Sequence, residues 1–398
     1  MLSIRSIVMI TLLAGLVAAA AQAQTETILY TFCAQQGCTD GTLPDSNLIM
    51  DAQGNFYGTT LYGGKNSQGV AFELTPDGTE TVLHSFGPEA GAGPESLLFD
   101  AKGNLYGESC CTGDYVVGSV FELTKRSFKF LYRFPRNNSA QGLWPGGGLV
   151  MDSAGNLYGT TTLGGADGWG IVFKVTQTKT ETLLYSFTGG ADGGQPDSGV
   201  IVDAKGNLYG TTVYGGAAGD GVVFELTASG SENVLHTFEG GLDGAYPSSG
   251  LITDGQGNLY GTTESGGGSG CGGTGCGTVF KVTPAGVETI LYSFAGGSDG
   301  AEPGGGLLFD NNGNLYGTTL EGGGSGCEGD GCGTVFKLTP GGEESILYSF
   351  VGGADGANPL SSLVLDNQGN FYGIAAGGHS SYCPYNGGAC GVLYKVAP

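Results

Sequence analysis

The stretch Gly313-Asn314-Leu315-Tyr316-Gly317 decides the fold, because near-copies of it occur seven times along the chain. The tyrosines at the centres of the copies are separated by 49, 52, 51, 51, 56 and 56 residues, and each period contains four short strand-like segments. A period near fifty residues with four strands is typical of one blade of a β-propeller. The seven tyrosines are Tyr57, Tyr106, Tyr158, Tyr209, Tyr260, Tyr316 and Tyr372.

The sixth period shows how one repeat is expected to fold. Its four segments read GLLFD, NLYGTT, GTVFKLT and ESILYSF, and they are bounded by Gly, Pro, Asn and Asp. Such β-branched and aromatic segments predict an antiparallel meander of strands at 306–310, 314–319, 333–339 and 344–350. Adjacent residues of a strand point to opposite faces, so the leucine and the tyrosine of each copy are expected to pack between neighbouring blades.

The two ends of the chain share one period. The seventh period stops after its third strand, at residues 391–395 (GVLYK), whereas residues 26–32 (ETILYTF) repeat the fourth-strand segment ESILYSF. The sequence therefore predicts an all-β, seven-bladed β-propeller with four antiparallel strands per blade, in which the N-terminal strand completes the last blade. Closing the ring in this way leaves only short, protected strand edges.

Residues 1–23 have the pattern of a secretory signal peptide. Arg5 precedes an apolar run at 7–20, and Ala21-Gln22-Ala23 offers a cleavage site of small residues. The apolar run is short for a membrane helix, and no later stretch reaches the required length. We therefore expect a secreted protein, periplasmic or extracellular, with a single propeller domain over residues 24–398.

The charge balance limits the partners of the chain. Fourteen basic against 37 acidic side chains give a formal net charge of −23. Such a surface repels phosphate backbones, so nucleic acid is not an expected partner. A glycan or an extracellular protein remains a candidate partner for what we expect to be a monomer.

The ten cysteines lie in close pairs along the sequence. In a secreted chain, an even number of closely spaced cysteines predicts disulfides between sequence neighbours. Zinc is the less favoured alternative, because Cys-x4-Cys is wider than the usual zinc knuckle. The predicted pairs are Cys33–Cys38, Cys110–Cys111, Cys271–Cys276, Cys327–Cys332 and Cys383–Cys390.

The loops of a four-stranded meander divide between its two ends. The first-to-second and third-to-fourth turns are short and share one end, which we call the tight-turn face. The second-to-third loops and the connectors between blades are long and share the other end, which we call the long-loop face. Binding usually resides in loops held on a rigid scaffold, so the long-loop face is the predicted binding surface.

Aspartates recur in two places. One opens the first turn of every blade, as Asp203 does in the fourth, and is predicted to cap that turn. Another stands four residues before the connector proline in five blades, where Asp-Gly is typical of a turn. The alternative for this second set is a ring that binds calcium or a cationic partner, although each loop offers only about one carboxylate. No other cofactor is expected. The connector aspartates are Asp40, Asp192, Asp243, Asp299 and Asp355.

The second period departs from the others. Arg136 and Trp144 lie in its longer connector, and the vicinal pair Cys110–Cys111 lies in its second-to-third loop. Strain in such a loop can mark a functional site, so these residues form a candidate binding cluster. The alternative is that this blade has diverged without gaining a role.

Signals of catalysis are few. His84 and His236 replace the fourth-strand tyrosine in two periods, so His379 is the one histidine in a long loop. The chain has no nucleophile elbow, zinc-protease motif or phosphate-binding loop. A lyase would need a base such as His379 or Tyr382, with Arg136 to neutralise a uronate carboxylate.

The full repeat resembles a known family. The pattern Leu-Tyr-Ser-Phe-x-Gly-Gly-x-Asp-Gly-Ala-x-Pro, followed by Gly-Asn-Leu-Tyr-Gly-Thr-Thr and Gly-Thr-Val-Phe-Lys-Leu-Thr-Pro, resembles the GloVer tandem repeat of bacterial surface and secreted proteins over residues 26–398. The resemblance implies export and carries over no catalytic residues. The Asp-x-x-Gly-Asn-Leu-Tyr core is also similar to NHL-type propellers. We therefore expect an exported, non-catalytic binding or scaffold protein that uses the long-loop face; the alternative is a propeller-fold carbohydrate-active enzyme, a polysaccharide lyase or hydrolase.

Overall fold

The seven sequence periods fold into seven separate antiparallel sheets. The computed structural model describes residues 25–88, 93–110, 116–136, 139–377 and 390–397. These sheets are the blades of the predicted β-propeller, which is confirmed. The predicted signal peptide at 1–23 lies outside the described residues. Six short 3-10 helices interrupt the loops: Gln36–Cys38, Ser139–Gln141, Cys271–Gly273, Gly297–Asp299, Cys327–Gly329 and Gly353–Asp355.

The strands follow one another within each blade from the centre of the ring outward. Blade 1 contains β2 (Thr42–Pro44), β3 (Ile49–Met50), β4 (Phe56–Tyr62), β5 (Val70–Leu74) and β6 (Glu80–Ser85). Blade 2 contains β7 (Pro94–Phe99), β8 (Leu105–Cys110), β9 (Val116–Thr124) and β10 (Ser127–Pro135). Blade 3 contains β11 (Leu143–Met151), β12 (Leu157–Leu163), β13 (Ile171–Val175) and β14 (Glu181–Ser186). Blade 4 contains β15 (Ile201–Val202), β16 (Leu208–Thr212), β17 (Val222–Leu226) and β18 (Glu232–Thr237).

The last three blades repeat this order. Blade 5 contains β19 (Ile252–Thr253), β20 (Leu259–Thr263), β21 (Thr278–Val282) and β22 (Glu288–Ser293). Blade 6 contains β23 (Leu308–Phe309), β24 (Leu315–Thr319), β25 (Thr334–Leu338) and β26 (Glu344–Ser349). Blade 7 contains β27 (Ala357–Pro359), β28 (Val364–Leu365), β29 (Phe371–Gly377), β30 (Val392–Val396) and, as its outermost strand, β1 (Glu26–Thr31).

The N-terminal strand closes the ring, as the sequence predicts. β1 pairs antiparallel with β30, from Glu26 opposite Val396 to Thr31 opposite Val392. The amide of Phe32 extends this ladder by donating to the carbonyl of Gly391 at 3.0 Å. The first and last described strands therefore belong to one sheet, and each supplies the other with its missing neighbour.

The repeated Leu-Tyr-Gly phrase builds the packing between blades. The third-strand phenylalanine, such as Phe224, is fully buried and lies over the glycine of the phrase. A Cβ at Gly210 would lie 2.7 Å from the Phe224 ring, so only glycine fits there. The Tyr57 ring meets Phe99 of the next blade edge-on at 5.0 Å, and Tyr260 meets Phe309 in the same way. These contacts confirm the predicted packing role of the tyrosines at those blades.

The aspartate before each Gly-Asn caps the first turn, as predicted. In blade 4, Asp203 accepts hydrogen bonds from the backbone amides of Lys205 and Asn207, both at 2.8 Å, and from the Asn207 side chain at 3.0 Å. The Tyr209 hydroxyl adds a fourth at 3.3 Å. Desolvation opposes ionisation, but these hydrogen bonds outweigh it and hold the pKa of Asp203 below its usual value.

The innermost strands differ from the prediction. The sixth blade was expected to begin with a strand at 306–310, but β23 covers only Leu308–Phe309. In blade 3 the ladder of the innermost strand is interrupted: Gly146 faces Thr160 and Val150 faces Tyr158, so the three residues between them on β11 oppose only Gly159 on β12. The extra residues bulge out of the ladder beside the propeller axis. Such bulges re-aim the backbone and side chains, here towards the central channel.

Candidate functional site

A cavity of about 500 Å³ occupies the centre of the ring. Its wall is built by the innermost strands of all seven blades, and it includes Asp45, Glu95, Asp197 and Ser249. Asp45, Glu95 and Asp197 directly follow connector prolines, and Ser249 lies two residues after Pro247, so the cavity lies at the end of the channel nearest the long-loop face. Its formation requires a closed ring, because each blade supplies only one part of the wall.

Glu95 enters this wall through a one-residue bulge in blade 2. Pro94 faces Ser109 and Ser96 faces Glu108, which leaves Glu95 without an opposing residue. Burial raises the pKa of Glu95 well above its usual value, and the nearby carboxyls of Glu108, Asp197 and Asp45 raise it further. The environment of Glu95 therefore favours the neutral form of its carboxyl.

The backbone of blade 3 receives the Glu95 side chain. The Glu95 Oε2 atom lies so close to Gly146 that a Cβ there would approach it to 2.5 Å. The backbone amide of Gly147 donates a hydrogen bond to the same carboxyl. The run Gly146-Gly147-Gly148 thus allows the backbone of blade 3 to lie close to the Glu95 side chain. A larger residue at Gly146 would displace that side chain.

Glu108 lies beside Glu95 and is fully buried. Its Oε1 atom accepts a hydrogen bond from the backbone amide of Gly148 at 2.7 Å, whereas its Oε2 atom is buried without a hydrogen-bond partner. Burial raises the pKa of Glu108 to about 7, and the Gly148 hydrogen bond only partly opposes this rise. Five other blades have threonine at this position, as at Thr59 and Thr160, and blade 7 has Ile374.

Asp45 and Asp197 complete the acidic wall from the blades on either side. Asp45 is accessible within the channel but enclosed by its walls, and desolvation raises its pKa to about 6. Asp197 accepts a hydrogen bond from the Thr162 hydroxyl at 3.0 Å. The buried Ser96 hydroxyl has no hydrogen-bond partner. Among the described residues that line the cavity none is Lys, Arg or His, so the cavity suits a ligand rich in hydrogen-bond donors, either a polyol or a cation.

Four exposed aromatic side chains lie on the long-loop face, in blades 1, 3 and 4. Tyr62, Trp144, Trp169 and Tyr214 have exposed fractions of 40%, 43%, 36% and 42%. All four lie in connectors or at the ends and loops of second strands. The Tyr214 ring lies 5.8 Å from that of Tyr246 in the next connector. Exposed aromatic rings beside polar groups provide stacking surfaces for apolar faces of a ligand.

A left-handed backbone residue holds each connector in place. The residue before the connector proline has positive φ in every blade, for example 59° at Trp144 and 59° at Tyr246. Its amide bonds to the preceding blade: Tyr246 donates to the Asp220 carbonyl at 2.9 Å, and Gln195 donates to that of Trp169 at 2.8 Å. The backbone is therefore fixed although the side chain varies. The others in this set are Leu43, Gly93, Glu302 and Asn358.

The five connector aspartates lie away from the channel cavity. Each accepts a hydrogen bond from a backbone amide in its own connector, at 2.7 to 2.9 Å, as the turn interpretation predicts. Four of them also accept a hydrogen bond from a fourth-strand tyrosine of the preceding blade, at 2.6 to 3.0 Å. The pairs are Tyr30–Asp40, Tyr185–Asp192, Tyr292–Asp299 and Tyr348–Asp355.

A glutamate from the next blade adjoins each connector aspartate. Burial, followed by the charge of the aspartate, raises the pKa of these glutamates to about 7. Each also has a buried Oε1 atom without a hydrogen-bond partner. We call these the rim carboxyl pairs: Asp40–Glu80, Asp192–Glu232, Asp243–Glu288, Asp299–Glu344 and Asp355–Glu26. Binding of calcium to the aspartates stays a prediction.

The candidate cluster of blade 2 is only partly described. Arg136 follows β10 and Trp144 lies in β11, and both are exposed. Two other basic residues of this blade have local partners: Lys129 lies 2.6 Å from Glu122, and the Arg133 guanidinium lies over the Phe130 ring. His379, Tyr382, Cys111 and Cys383 lie outside the described residues.

The disulfide prediction is confirmed wherever both partners are described. Cys33–Cys38, Cys271–Cys276 and Cys327–Cys332 are bonded. Cys110 and Cys390 are also disulfide-bonded. These bonds lie in or beside the long loops, where they fix the surface that surrounds the channel.

The sequence interpretation missed Glu95 and Glu108. Two signals could have found them. The interval from Pro94 to Asp100 is one residue shorter than the corresponding interval in other blades, such as Pro196 to Asp203. Glu108 stands where the repeat has threonine, in a segment otherwise predicted to be buried.

The repeat belongs to a described family. The profile of the Gloeobacter/Verrucomicrobia repeat matches residues 15–203 and 170–389. The chain belongs to this family. The predicted resemblance to the GloVer-type repeat is thereby confirmed, and this repeat closes into a seven-bladed ring. No curated protein matches the sequence.

Several solved structures have a similar fold. The Niastella koreensis GH74 enzyme has a TM-score of 0.57 and 15% identity, covering 90% of this chain and 53% of that one. The extracellular domain of a B. thetaiotaomicron protein named as a one component system has a TM-score of 0.55 and 11% identity, covering 94% and 40%. A second such domain, named for a hybrid two component system, has a TM-score of 0.53 and 11% identity, covering 93% and 41%. The chain spans about half, or less, of these structures, and the likeness shows the fold alone.

The described helices are too short and too polar for a membrane crossing.

Proposed function

We propose that this repeat protein is exported and binds a glycan on its long-loop face, around the mouth of the channel, without catalysing a reaction. The observation that carries the proposal is the set of exposed aromatic rings, Trp144 and Tyr214 among them, on the same face as a cavity walled by carboxyls and hydroxyls. Sugars present apolar ring faces and many hydroxyls, which suit stacking on aromatic rings and hydrogen bonding to carboxyls. The disulfides and the signal-peptide pattern support export.

The rigidity of the face also supports binding. The left-handed connector residues are bonded to the neighbouring blade, and disulfides close the adjoining loops. Side chains held on a fixed backbone lose little freedom when a ligand binds, so weak stacking and hydrogen bonds can add up to useful affinity. The variable side chains at these fixed positions would set the specificity.

A glycan array followed by calorimetric titration tests this proposal. We expect binding that weakens at least tenfold in Trp144→Ala and Tyr214→Ala. Val287 is a matched control, because it is an exposed apolar side chain in a turn of the tight-turn face, and Val287→Ala should bind as the unaltered protein does. Absence of binding to any glycan, or equal affinity in all the variants, would refute the proposal.

Glycoside hydrolysis is a second candidate function. The observation that favours it is the presence of two carboxyls, Glu95 and Asp197, in the wall of one cavity, with the pKa of Glu95 raised by burial and by its acidic neighbours, because glycosidases pair a carboxylic acid with a carboxylate. A reducing-sugar assay on every glycan that binds distinguishes the two functions. Product formation that disappears in Glu95→Gln while binding persists would replace the non-catalytic proposal.

A further inference from the structure

Blade 4 carries a histidine where four other blades carry the tyrosine of the Tyr–Asp hydrogen bonds. His236 occupies this position in β18, and it lies 3.3 Å from Asp243 Oδ2. Glu288 of blade 5 forms a rim carboxyl pair with Asp243. One ligand atom from each of the three residues lies within 4.8 Å of the others, and within the described chain this is the one such group of three.

We propose that His236, Asp243 and Glu288 bind a divalent first-row metal ion such as Zn²⁺ at the boundary of blades 4 and 5. The three side chains offer one imidazole nitrogen and two carboxylate oxygens, a donor set that suits zinc better than calcium. Water would complete the coordination. The site is separate from the channel cavity, so it does not depend on the proposed glycan binding.

Glu288 Oε1 is buried at this place without a hydrogen-bond partner, and the contact of His236 Nε2 with Asp243 Oδ2 at 3.3 Å lacks hydrogen-bond geometry. A metal ion would bind both atoms, and it would remove the cost to stability of the unpaired glutamate oxygen. Zinc–ligand bonds of about 2.0–2.1 Å place adjacent ligand atoms of a tetrahedral site about 3.3 Å apart. The distance between His236 Nε2 and Asp243 Oδ2 already has this value, so only Glu288 must adjust.

The equivalent places in other blades show what the histidine changes. In blade 6 the Tyr348 hydroxyl donates a hydrogen bond to Asp355 at 3.0 Å, so a protonated hydroxyl takes the place of the imidazole. In blade 1, His84 occupies the same strand position but stacks on Phe128, with ring centres 3.9 Å apart. Phe128 stands at the strand position of the rim glutamate. His84 therefore serves as a natural control that lacks the glutamate ligand.

Calorimetric titration with ZnCl₂ tests the proposal on the full chain after removal of metals with EDTA. We expect one equivalent of Zn²⁺ and a higher melting temperature in its presence. Co²⁺ should bind the same site and give a visible absorption spectrum typical of a Co²⁺ ion with a low coordination number. His236→Tyr should weaken Zn²⁺ binding at least tenfold and remain folded, because it restores the residue of four other blades.

His84→Tyr should bind Zn²⁺ as the unaltered protein does, and Glu288→Gln should bind it more weakly. The proposal is overturned if the unaltered protein binds no Zn²⁺, if His236→Tyr retains its affinity, or if His84→Tyr loses it. Binding of several equivalents of Ca²⁺ that displace Zn²⁺ would also overturn it, because the rim carboxyl pairs alone would then explain the site.

Discussion

The fully buried carboxyl of Glu108 in blade 2 accepts a hydrogen bond from the backbone amide of Gly148 in blade 3, at 2.7 Å. This contact joins two blades at the channel wall, where Thr160 of blade 3 instead donates its hydroxyl to the Ser198 carbonyl of blade 4 at 2.9 Å. Glu108 leaves one oxygen atom unpaired, whereas the hydroxyl of Thr160 has a hydrogen-bond partner. Functional sites commonly contain residues that lower the stability of the fold.

Replacing Glu108 by threonine should therefore stabilise the protein. At pH 8, above the pKa of about 7, the change removes a buried carboxylate with an unpaired oxygen. We expect the free energy of unfolding to increase by about 1–3 kcal/mol, measured with urea. Thr160→Val is the matched control and should destabilise by about 1 kcal/mol, since it removes the satisfied hydroxyl. A less stable Glu108→Thr protein would contradict this account.

The rim carboxyl pairs should make the protein more stable in mild acid than at neutral pH. The folded pKa of Glu344 is raised to about 7, so its contribution is complete below its unfolded pKa of about 4.5 and is lost as the pH rises towards 7. The capping aspartates, such as Asp203, have lowered pKa values, so their contribution is lost only in stronger acid. Calorimetric melting in EDTA should show the highest melting temperature near about pH 4–5.

Glu344→Gln tests this origin of the pH dependence. It removes one titrating group, so the fall in melting temperature between pH 5 and pH 7 should become smaller. Its exposed neighbour Glu343 provides the control, and Glu343→Gln should leave the pH profile unchanged. A profile that rises from pH 5 to pH 7 in the unaltered protein would show that the rim glutamates are ionised in the folded state.

Removing the Asp203 cap should destabilise blade 4. Asp203→Ala deletes the acceptor of four hydrogen bonds from the Lys205, Asn207 and Tyr209 groups. Because the turn is partly exposed and water replaces some of these bonds, we expect a loss of about 2 kcal/mol in urea unfolding. Asp167→Ala, in an exposed part of a long loop, should have little effect. Equal losses in both variants would contradict a specific capping role.

Deleting residues 24–32 should open the ring. The edge of β30 would lose its ladder with β1, and an unpaired edge invites pairing between molecules. We expect dimers or larger species in size-exclusion chromatography and a lower melting temperature. A synthetic peptide of residues 24–33 should restore the monomer by adding the missing strand. A truncated protein that stays monomeric with an unchanged melting temperature would show that closure contributes little.

The fold could be predicted from the sequence because the same four-strand pattern occurs seven times. Tyr316 and its equivalents mark the period, the aspartate-glycine turns mark the strand ends, and the match between β1 and β26 reveals the closure. The short β23 was missed because a bulge beside the axis depends on how neighbouring blades approach, which strand propensity does not encode.

The candidate site was less predictable. Glu95 reaches the channel through a bulge, and Glu108 becomes its neighbour only when β7 pairs with β8. The metal-ligand group joins His236 to Glu288, which lie on adjacent blades and come together only when blade 5 packs against blade 4. Their roles follow from contacts between repeats, whereas the periodic pattern describes each repeat by itself.

The pairing of β1 with β30 has a consequence for the nascent chain. The ribosome adds β30 only after the strands of the other six blades, although β1 precedes all of them. Until then the outermost strand of the last sheet has no partner to pair with. A chain that stops before β30 would therefore contain every residue of the cavity wall, yet it would lack the strand that ties β1 to the last blade.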